Sequence, residues 1–210
     1  ATPAIDGHLA PRGAFVEISE NWVEAAAWLT DHADGQRSLI VPAAHFGEYT
    51  WGRPLDEPLR SLTDADYAVR DAVPLTPANT IRFLDSVEHG LQTGREVDRI
   101  AAALARTGVK YLVLRNDLDT IAAGAPPALF AGSAIRSTPS LTRAAGFGRS
   151  TRDLTGSRVW AVEIYEINHP VPNSVELWPA ASVTAASGAS GSLPSLASLA
   201  SVPGPIVFDG

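Results

Sequence analysis

Residues 45–54 (HFGEYTWGRP) gather, within one short stretch, the side-chain types that bind sugars. They include Glu48, Tyr49, Trp51 and Arg53. Aromatic rings stack on the apolar faces of pyranose and furanose rings, and carboxylate and guanidinium groups hydrogen-bond to hydroxyls. The aromatic residues are equally suited to folding back as a small core of the loop itself, as long surface loops often require. Of these two interpretations, the residue pattern favours the second.

A second charged group, Arg115, Asp117 and Asp119, follows the apolar run 109–114 (VKYLVL). Ligands of open α/β sheets bind at the carboxyl ends of strands, so this group is well placed. Two carboxylates could act as general acid and base, or hold a divalent ion. They are also suited to capping the next turn, with Arg115 paired to one of them. Because such caps at strand ends are common, the sequence favours a structural role.

Other catalytic constellations are missing from the sequence. The five histidines are too far apart for a zinc-binding pair at helical spacing, so we predict no metal site. Neither a nucleophile elbow nor a phosphate-binding glycine loop occurs. The chain has no cysteine, which excludes disulfides and a cysteine nucleophile. We therefore assign no catalytic residue and no cofactor.

The elements that must position these residues follow from hydrophobic periodicity and turn signals. Helices are predicted at 19–33 with Ser19 as N-cap, at 80–91, at 95–107 with Gly108 as the C′ residue, and as one turn at 126–131. Strands are predicted at 14–18, 38–41, 109–114, 141–147, 159–167 and 205–208, and the alternation in 159–167 indicates a half-exposed strand.

Helices and strands that alternate along the chain predict an α/β fold. We expect two or three layers, with helices packed on a sheet of about four to six mostly parallel strands. Residues 42–77 are rich in Pro, Gly, Asp and Arg and have no sustained periodicity. They are predicted to form a long loop that is functional or ordered by a partner.

The chain divides by composition near residue 168. Residues 1–168 are predicted to form the α/β domain. Residues 169–210 are rich in Ser, Ala and Gly and are expected to pack on the same domain and end in a short strand. Within that segment Leu193, Leu196 and Leu199 allow a short helix packed on the sheet.

Composition excludes several function classes. The chain is 45% hydrophobic with a net charge of -7, and no run of basic residues occurs. A nucleic-acid partner and electrostatic docking on anionic lipid are both disfavoured. No stretch approaches the roughly 18 apolar residues that cross a bilayer. Because the chain begins Ala1-Thr2-Pro3 without a signal-peptide pattern and contains no Met, we expect a soluble piece of a longer protein.

Several sequence blocks resemble one known family. Residues 46–59 (FGEYTWGRPLDEPL), 68–75 (AVRDAVPL), 108–119 (GVKYLVLRNDLD) and the helix 21–29 (NWVEAAAWL) are similar, in order and spacing, to the large α-(1→3)-arabinofuranosyltransferases of actinobacteria. The resemblance covers residues 15–167 and becomes loose from Asn168 onward.

The resemblance implies polytopic membrane glycosyltransferases of the GT-C type, which use a decaprenyl-phosphate-linked arabinofuranose donor to extend arabinan outside the plasma membrane. Their catalytic carboxylate lies near the first membrane helices, which are not present here, and we carry over no catalytic residue. Discoidin-like modules of the family do not fit this pattern of helices and strands.

The family therefore implies an accessory ectodomain at the extracytoplasmic face, with the membrane-embedded remainder of the polypeptide, and arabinan, as partners. Glu48, Tyr49, Trp51 and Arg53 are the first candidate contacts for arabinan; Arg115, Asp117 and Asp119 are the second. One alternative is a free-standing carbohydrate-binding module. Another is a self-contained hydrolase or transferase that uses Asp117 and Asp119, which no second constellation completes.

Overall fold

The computed structural model describes residue 15 and residues 17–70, 76–152, 156–171, 178–197 and 204–208. Six α-helices are described: α1 (Glu20–His32), α2 (Leu59–Leu62), α3 (Ala78–Thr93), α4 (Val97–Arg106), α5 (Ala128–Arg136) and α6 (Leu193–Ala197). The strands are β1 (Arg37–Val41), β2 (Gly47–Tyr49), β3 (Gly52–Leu55), β4 (Tyr67–Val69), β5 (Val109–Arg115), β6 (Leu141–Phe147), β7 (Thr151–Arg152), β8 (Arg158–Val159), β9 (Val162–Ile167), β10 (Thr184–Ala186) and β11 (Ile206–Phe208).

A five-stranded sheet with the order β4-β1-β5-β9-β6 forms the centre of the chain. Strand β1 is parallel to both β4 and β5, whereas β9 runs antiparallel to its neighbours β5 and β6. Four strands therefore point the same way and one is reversed. The predicted α/β class, with a mostly parallel sheet and helices packed on it, is confirmed; the reversed β9 makes the sheet mixed.

Two apolar clusters use opposite faces of this sheet. Along β5, Leu112 and Leu114 belong to the cluster that contains α3, α4 and α5. The alternate residues Tyr111 and Val113 belong to the cluster that contains α1. Successive side chains of a strand point to opposite faces, so one strand supplies both clusters. This explains why the run 109–114 is apolar without alternation.

The spacing of apolar residues along helix α1 determines which of its side chains are buried. Its buried residues are Trp22, Ala25, Ala26 and Leu29, one stripe of the helix that faces the sheet. The predicted N-cap role of Ser19 is wrong for the side chain, which makes no capping hydrogen bond. Its backbone carbonyl instead accepts the amides of Trp22 and Val23.

The predicted long loop 42–77 is wrong in part. The β2–β3 hairpin, α2 and β4 lie within it, and β4 extends the central sheet at one edge. These elements are only three or four residues long, too short for a periodic pattern to be recognised. Residues 71–75 of this segment lie outside the described residues.

Three further predictions need correction. In the stretch 14–18, Phe15, Glu17 and Ile18 are not in a strand, and the other two residues are not described. The predicted single turn at 126–131 is a helix of nine residues, α5. Strand β9 is almost wholly buried rather than half exposed, because its side chains enter the apolar clusters on both faces of the sheet.

The described part of the C-terminal segment packs on helices α3 and α4. Helix α6 packs against α4, and Leu193 packs against the α3–α5 cluster. Ser190 Oγ donates to the Asn79 carbonyl of α3, and Arg106 donates to the Gly204 carbonyl. Leu199 of the predicted helix lies outside the described residues. A division of the chain at residue 168 stays a prediction.

Candidate functional site

The two groups of chemically suited residues meet in space. The hairpin β2–β3 and the turn after β5 run side by side, joined by an antiparallel bridge between Tyr49 and Leu118. The Thr50 amide donates to the Asp117 carbonyl at 2.9 Å, and the Asp119 amide donates to the Glu48 carbonyl at 3.0 Å. The candidates predicted from two separate stretches therefore form one site at the carboxyl end of β5.

Arg115, the last residue of β5, is fully buried at the centre of this site. Its Nε and Nη2 donate to the Pro42 carbonyl, just after β1, at 3.0 and 2.7 Å. Its Nη1 donates to Glu57 Oε1 at 2.5 Å and to the Tyr49 hydroxyl at 3.3 Å. The Tyr49 hydroxyl in turn donates to Glu57 Oε2 at 2.8 Å. The guanidinium thus ties the ends of two strands to the segment before α2.

The electrostatics of this buried triad keep Arg115 charged and Tyr49 neutral. Burial works to lower the pKa of Arg115, but the nearby Glu57 carboxylate and the Tyr49 hydroxyl outweigh it and the pKa is raised. Burial, assisted by the charge of Glu57, raises the pKa of Tyr49 far above its ordinary value. Tyr49 is therefore a hydrogen-bonding group with no accessible phenolate form.

Asp117 lies beside the triad, inside an aromatic enclosure. Its Oδ2 accepts the indole N–H groups of Trp22 and Trp51, both at 3.0 Å. Tyr49 stacks on Trp51 with ring centroids 5.1 Å apart and meets Trp22 edge-on at 5.5 Å. Burial raises the pKa of Asp117 to about 6, although the two indole donors act against this rise. Tyr49 and Trp51 thus pack as an internal core of the loop, the interpretation that the sequence favours, whereas Phe46 of the same loop is exposed.

The remaining predicted residues are the buried Glu48 and the exposed Arg53 and Asp119. Glu48 is buried and accepts Arg53 Nη2 at 2.7 Å, whereas the Arg53 side chain is 47% exposed. Asp119 is exposed, and its Oδ1 accepts the Ala122 amide at 3.1 Å, the capping role considered above. Arg53 and Asp119, with part of Trp51, are the predicted residues that solvent reaches.

Sequence reasoning missed three polar partners of this region. Glu57 completes the Arg115 triad, and its position between Asp56 and Pro58 carries no motif that could reveal it. Trp22 lies on the buried face of α1, where it reads as an ordinary core residue. Glu163 of β9 is fully buried and accepts Asn116 Nδ2 at 3.0 Å. Burial raises the pKa of Glu163 despite that hydrogen bond.

The described residues contain neither a metal-binding cluster nor a membrane-spanning helix. Among them, no three His, Asp or Glu side chains come together as a metal site. None of the helices in the described ranges is both long and apolar enough to cross a bilayer.

The two relatives found by sequence comparison have the same described activity. An alpha-(1->3)-arabinofuranosyltransferase of Mycolicibacterium smegmatis is 43% identical over 141 residues, which covers 67% of this chain and 10% of that protein. The enzyme of the same description from Mycobacterium tuberculosis is 38% identical over 178 residues, covering 78% of this chain and 13% of that protein. The chain therefore spans about a tenth to an eighth of the length of these relatives.

Solved structures agree with the sequence relatives. The cryo-EM structure of arabinofuranosyltransferase AftD from mycobacteria superposes with a TM-score of 0.79 at 35% identity, over 92% of this chain and 16% of that one. A structure of a mutant of that enzyme gives a TM-score of 0.76 over 89% of this chain.

A family model described as alpha-(1->3)-arabinofuranosyltransferase, N-terminal GT-C domain, matches residues 1–209. This match extends past the range 15–167 on which the sequence blocks rested. The chain belongs to the alpha-(1->3)-arabinofuranosyltransferase family, in the part that the family model describes as its N-terminal GT-C domain.

Proposed function

We propose that this chain is an accessory unit of a cell-wall arabinofuranosyltransferase, without the catalytic centre of that enzyme. It forms a stable α/β body, which we interpret as helix, sheet and helix layers, next to the membrane-embedded remainder of the same polypeptide. The unit lies on the extracytoplasmic side, where arabinan is extended. It supports the membrane part and is available to hold the arabinan acceptor.

One observation carries the proposal: the groups best suited to chemistry bind one another. Arg115 uses four hydrogen bonds on Pro42, Glu57 and Tyr49. Asp117 is enclosed by two indole donors. A general acid or a nucleophile must reach a substrate atom, and these groups are at most 9% exposed except at the rim. Such a network holds three chain segments in position. It is not arranged to carry out a reaction.

In this proposal, only residues at the rim of the site contact arabinan. Arg53, Asp119 and the exposed part of Trp51 are the groups that a glycan can reach. We propose that Glu48, Tyr49, Arg115 and Asp117 act indirectly, because they hold the rim residues in place. An arabinan contact at this rim is a prediction of the proposal.

The test uses the full-length arabinofuranosyltransferase that contains this chain. Arg115→Met is expected to lower its folded yield and thermal midpoint, because it leaves the Glu57 carboxylate buried without its counterion, at a cost of about 3–5 kcal/mol. Arg60→Met is the matched control, since its 2.6 Å ion pair with Asp56 is exposed and such pairs contribute about 0–1 kcal/mol. Asp119→Ala should keep kcat per folded enzyme within about twofold, far less than the loss expected of a general acid or base.

The outcome that contradicts the proposal is equally specific. A fully folded Asp119→Ala or Asp117→Asn enzyme whose kcat falls more than about a hundredfold would place the chemistry in this chain. Turnover of lipid-linked arabinofuranose by the isolated 210-residue chain would do the same.

A further inference from the structure

A cleft lies beside the Arg115 network, at the edge where β1 and β4 end. It has a volume of about 530 Å³, and its walls are the turn at 43–46, Arg70, the α3 residues Asp85 and Glu88, and the loop at 124–126. A second hollow of about 260 Å³ is lined by the same turn at 44–46 and by Asp56, Glu57 and Arg60 before and within α2. The carboxyl edge of parallel strands is where open α/β sheets bind ligands, and both volumes together suit a small molecule.

The carboxylate of Glu88 is the polar group in this cleft that the fold leaves incomplete. One side of the carboxylate interacts with the Ala43 amide. Its Oε2 is buried and has no hydrogen-bond partner among the described residues. A buried polar atom without a partner costs about 1–3 kcal/mol, so one that lines a cleft calls for a donor from a ligand.

The charges around the cleft nearly cancel. Arg70 Nε and Asp85 Oδ1 form an ion pair at 2.7 Å. Burial raises the pKa of Glu88 to about 7, so this carboxyl is close to half protonated at neutral pH. Hydroxyl groups suit Glu88 in either protonation state, because they donate to the carboxylate and accept from the protonated carboxyl. The cleft suits a neutral molecule that offers hydroxyl groups, which both donate and accept hydrogen bonds.

The walls of both hollows include one exposed aromatic ring, that of Phe46. Phe46 lines both hollows and is 51% exposed, although it is large and apolar. Next to it, the His45 ring packs over Gly124, where a Cβ would lie only 2.6 Å from Nδ1. The His45 amide also donates to the Ala123 carbonyl at 2.8 Å. The backbone of the turn that carries Phe46 is therefore held against residues 123–124, and the exposed ring offers an apolar face.

We propose that this cleft binds one neutral sugar ring, a furanose or pyranose. A ring hydroxyl donates to Glu88 Oε2, the C–H face of the ring lies on Phe46, and the Arg70–Asp85 pair contacts the remaining hydroxyls. The inference goes beyond the accessory function, which assigns no ligand to this cleft. It also names a position distinct from the rim formed by Trp51, Arg53 and Asp119.

The test is an NMR titration of the 210-residue chain with methyl arabinofuranoside and with methyl glucopyranoside. At least one sugar should shift the amide signals of residues 43–46, 85–88 and 124–126. Phe46→Ala should weaken binding about tenfold, because the ring supplies the apolar contact. Phe130→Ala is the matched control: Phe130 is 54% exposed and lines neither hollow. It should leave the affinity unchanged.

Glu88→Met supplies a second, independent measurement. Met has similar length and no hydrogen-bond acceptor of comparable strength, so binding should weaken about tenfold while the unbound variant stays folded. No shift with either sugar at its highest soluble concentration would overturn the proposal. So would shifts confined to residues 48–53 and 117–119, equal effects of Phe46→Ala and Phe130→Ala, or binding of methylammonium in place of the sugars. The supporting function would survive each of these results.

Discussion

At the scale of single residues, burial is the dominant influence on the pKa values of three carboxyl groups. Asp117, Glu88 and Glu163 all have pKa values raised by burial, although each has donors or cations nearby. A raised carboxyl pKa means that the folded state holds a proton more tightly than the unfolded state does. These groups therefore make folding less favourable as the pH rises, the opposite of a salt-bridged surface carboxylate.

Asp117→Asn tests this effect. The contribution of Asp117 to stability is fully present below its unfolded pKa near 3.8 and is lost as the pH rises through its folded pKa of about 6. Between pH 4 and pH 7 the wild type should lose up to about 3 kcal/mol of unfolding free energy relative to the variant. Asn keeps an oxygen that accepts both indole N–H groups, so the variant should fold. Urea unfolding across this pH range provides the measurement, and parallel curves for the two proteins would contradict it.

At the scale of elements, close backbone approach decides how α3 and α4 pack. A Cβ at Gly90 would lie 2.1 Å from Ile100 Cδ1 and 3.1 Å from the Arg95 carbonyl oxygen. Gly94, with a φ of 66°, ends α3 in the left-handed region that glycine adopts readily. The short connection between the two helices depends on both glycines, for different physical reasons.

Gly90→Ala should destabilise the chain even though alanine favours a helix. Overpacking typically costs about 1–3 kcal/mol, more than the gain of about 1 kcal/mol from helix propensity. Ile100→Val in the same chain removes the Cδ1 methyl and should recover part of the loss. A double-mutant cycle from thermal unfolding measures this coupling. Additive effects of the two substitutions would show that the two residues do not meet.

At the scale of the whole molecule, the described part of the C-terminal segment packs on helices α3 and α4. Leu193 packs against the α3–α5 cluster, and Arg106 donates to the Gly204 carbonyl. Charge is also unevenly distributed: residues 136–158 hold five of the chain's 16 basic residues and one of its 23 acidic ones. On the β7–β8 hairpin, Arg152 and Arg158 stand directly opposite each other. The net charge of -7 therefore conceals one cationic region.

A chain that ends at residue 168 should fold with reduced stability. The central sheet and helices α1–α5 lie before this point, so the cooperative transition should persist. Exposure of the surface that Leu193 covers should cost about 1–3 kcal/mol, or a decrease in Tm of about 5 °C. Leu193→Ser in the full chain should reproduce part of this loss. An unfolded truncated chain would instead make residues 169–210 an integral part of the domain.

The long elements could be predicted from sequence because their signals are local. The spacing in α1, α3 and α4 and the apolar run of β5 each span enough residues to establish the period or the burial pattern. The short elements between residues 47 and 69 could not, since a strand of three residues has no period. The prediction that β9 is half exposed was wrong for a different reason: alternation within one strand does not show whether both faces of the sheet will be covered.

By itself the sequence determined the α/β class, the two groups of candidate residues and the family resemblance, all of which rest on contiguous residues. Only the tertiary structure decided what those candidates contact. Arg115 and Glu57 are 58 positions apart, and Asp117 and Trp22 are 95 apart. Because burial depends on elements brought together from across the chain, a loop with the composition of a sugar site became a closed polar network, and the open cleft formed beside it.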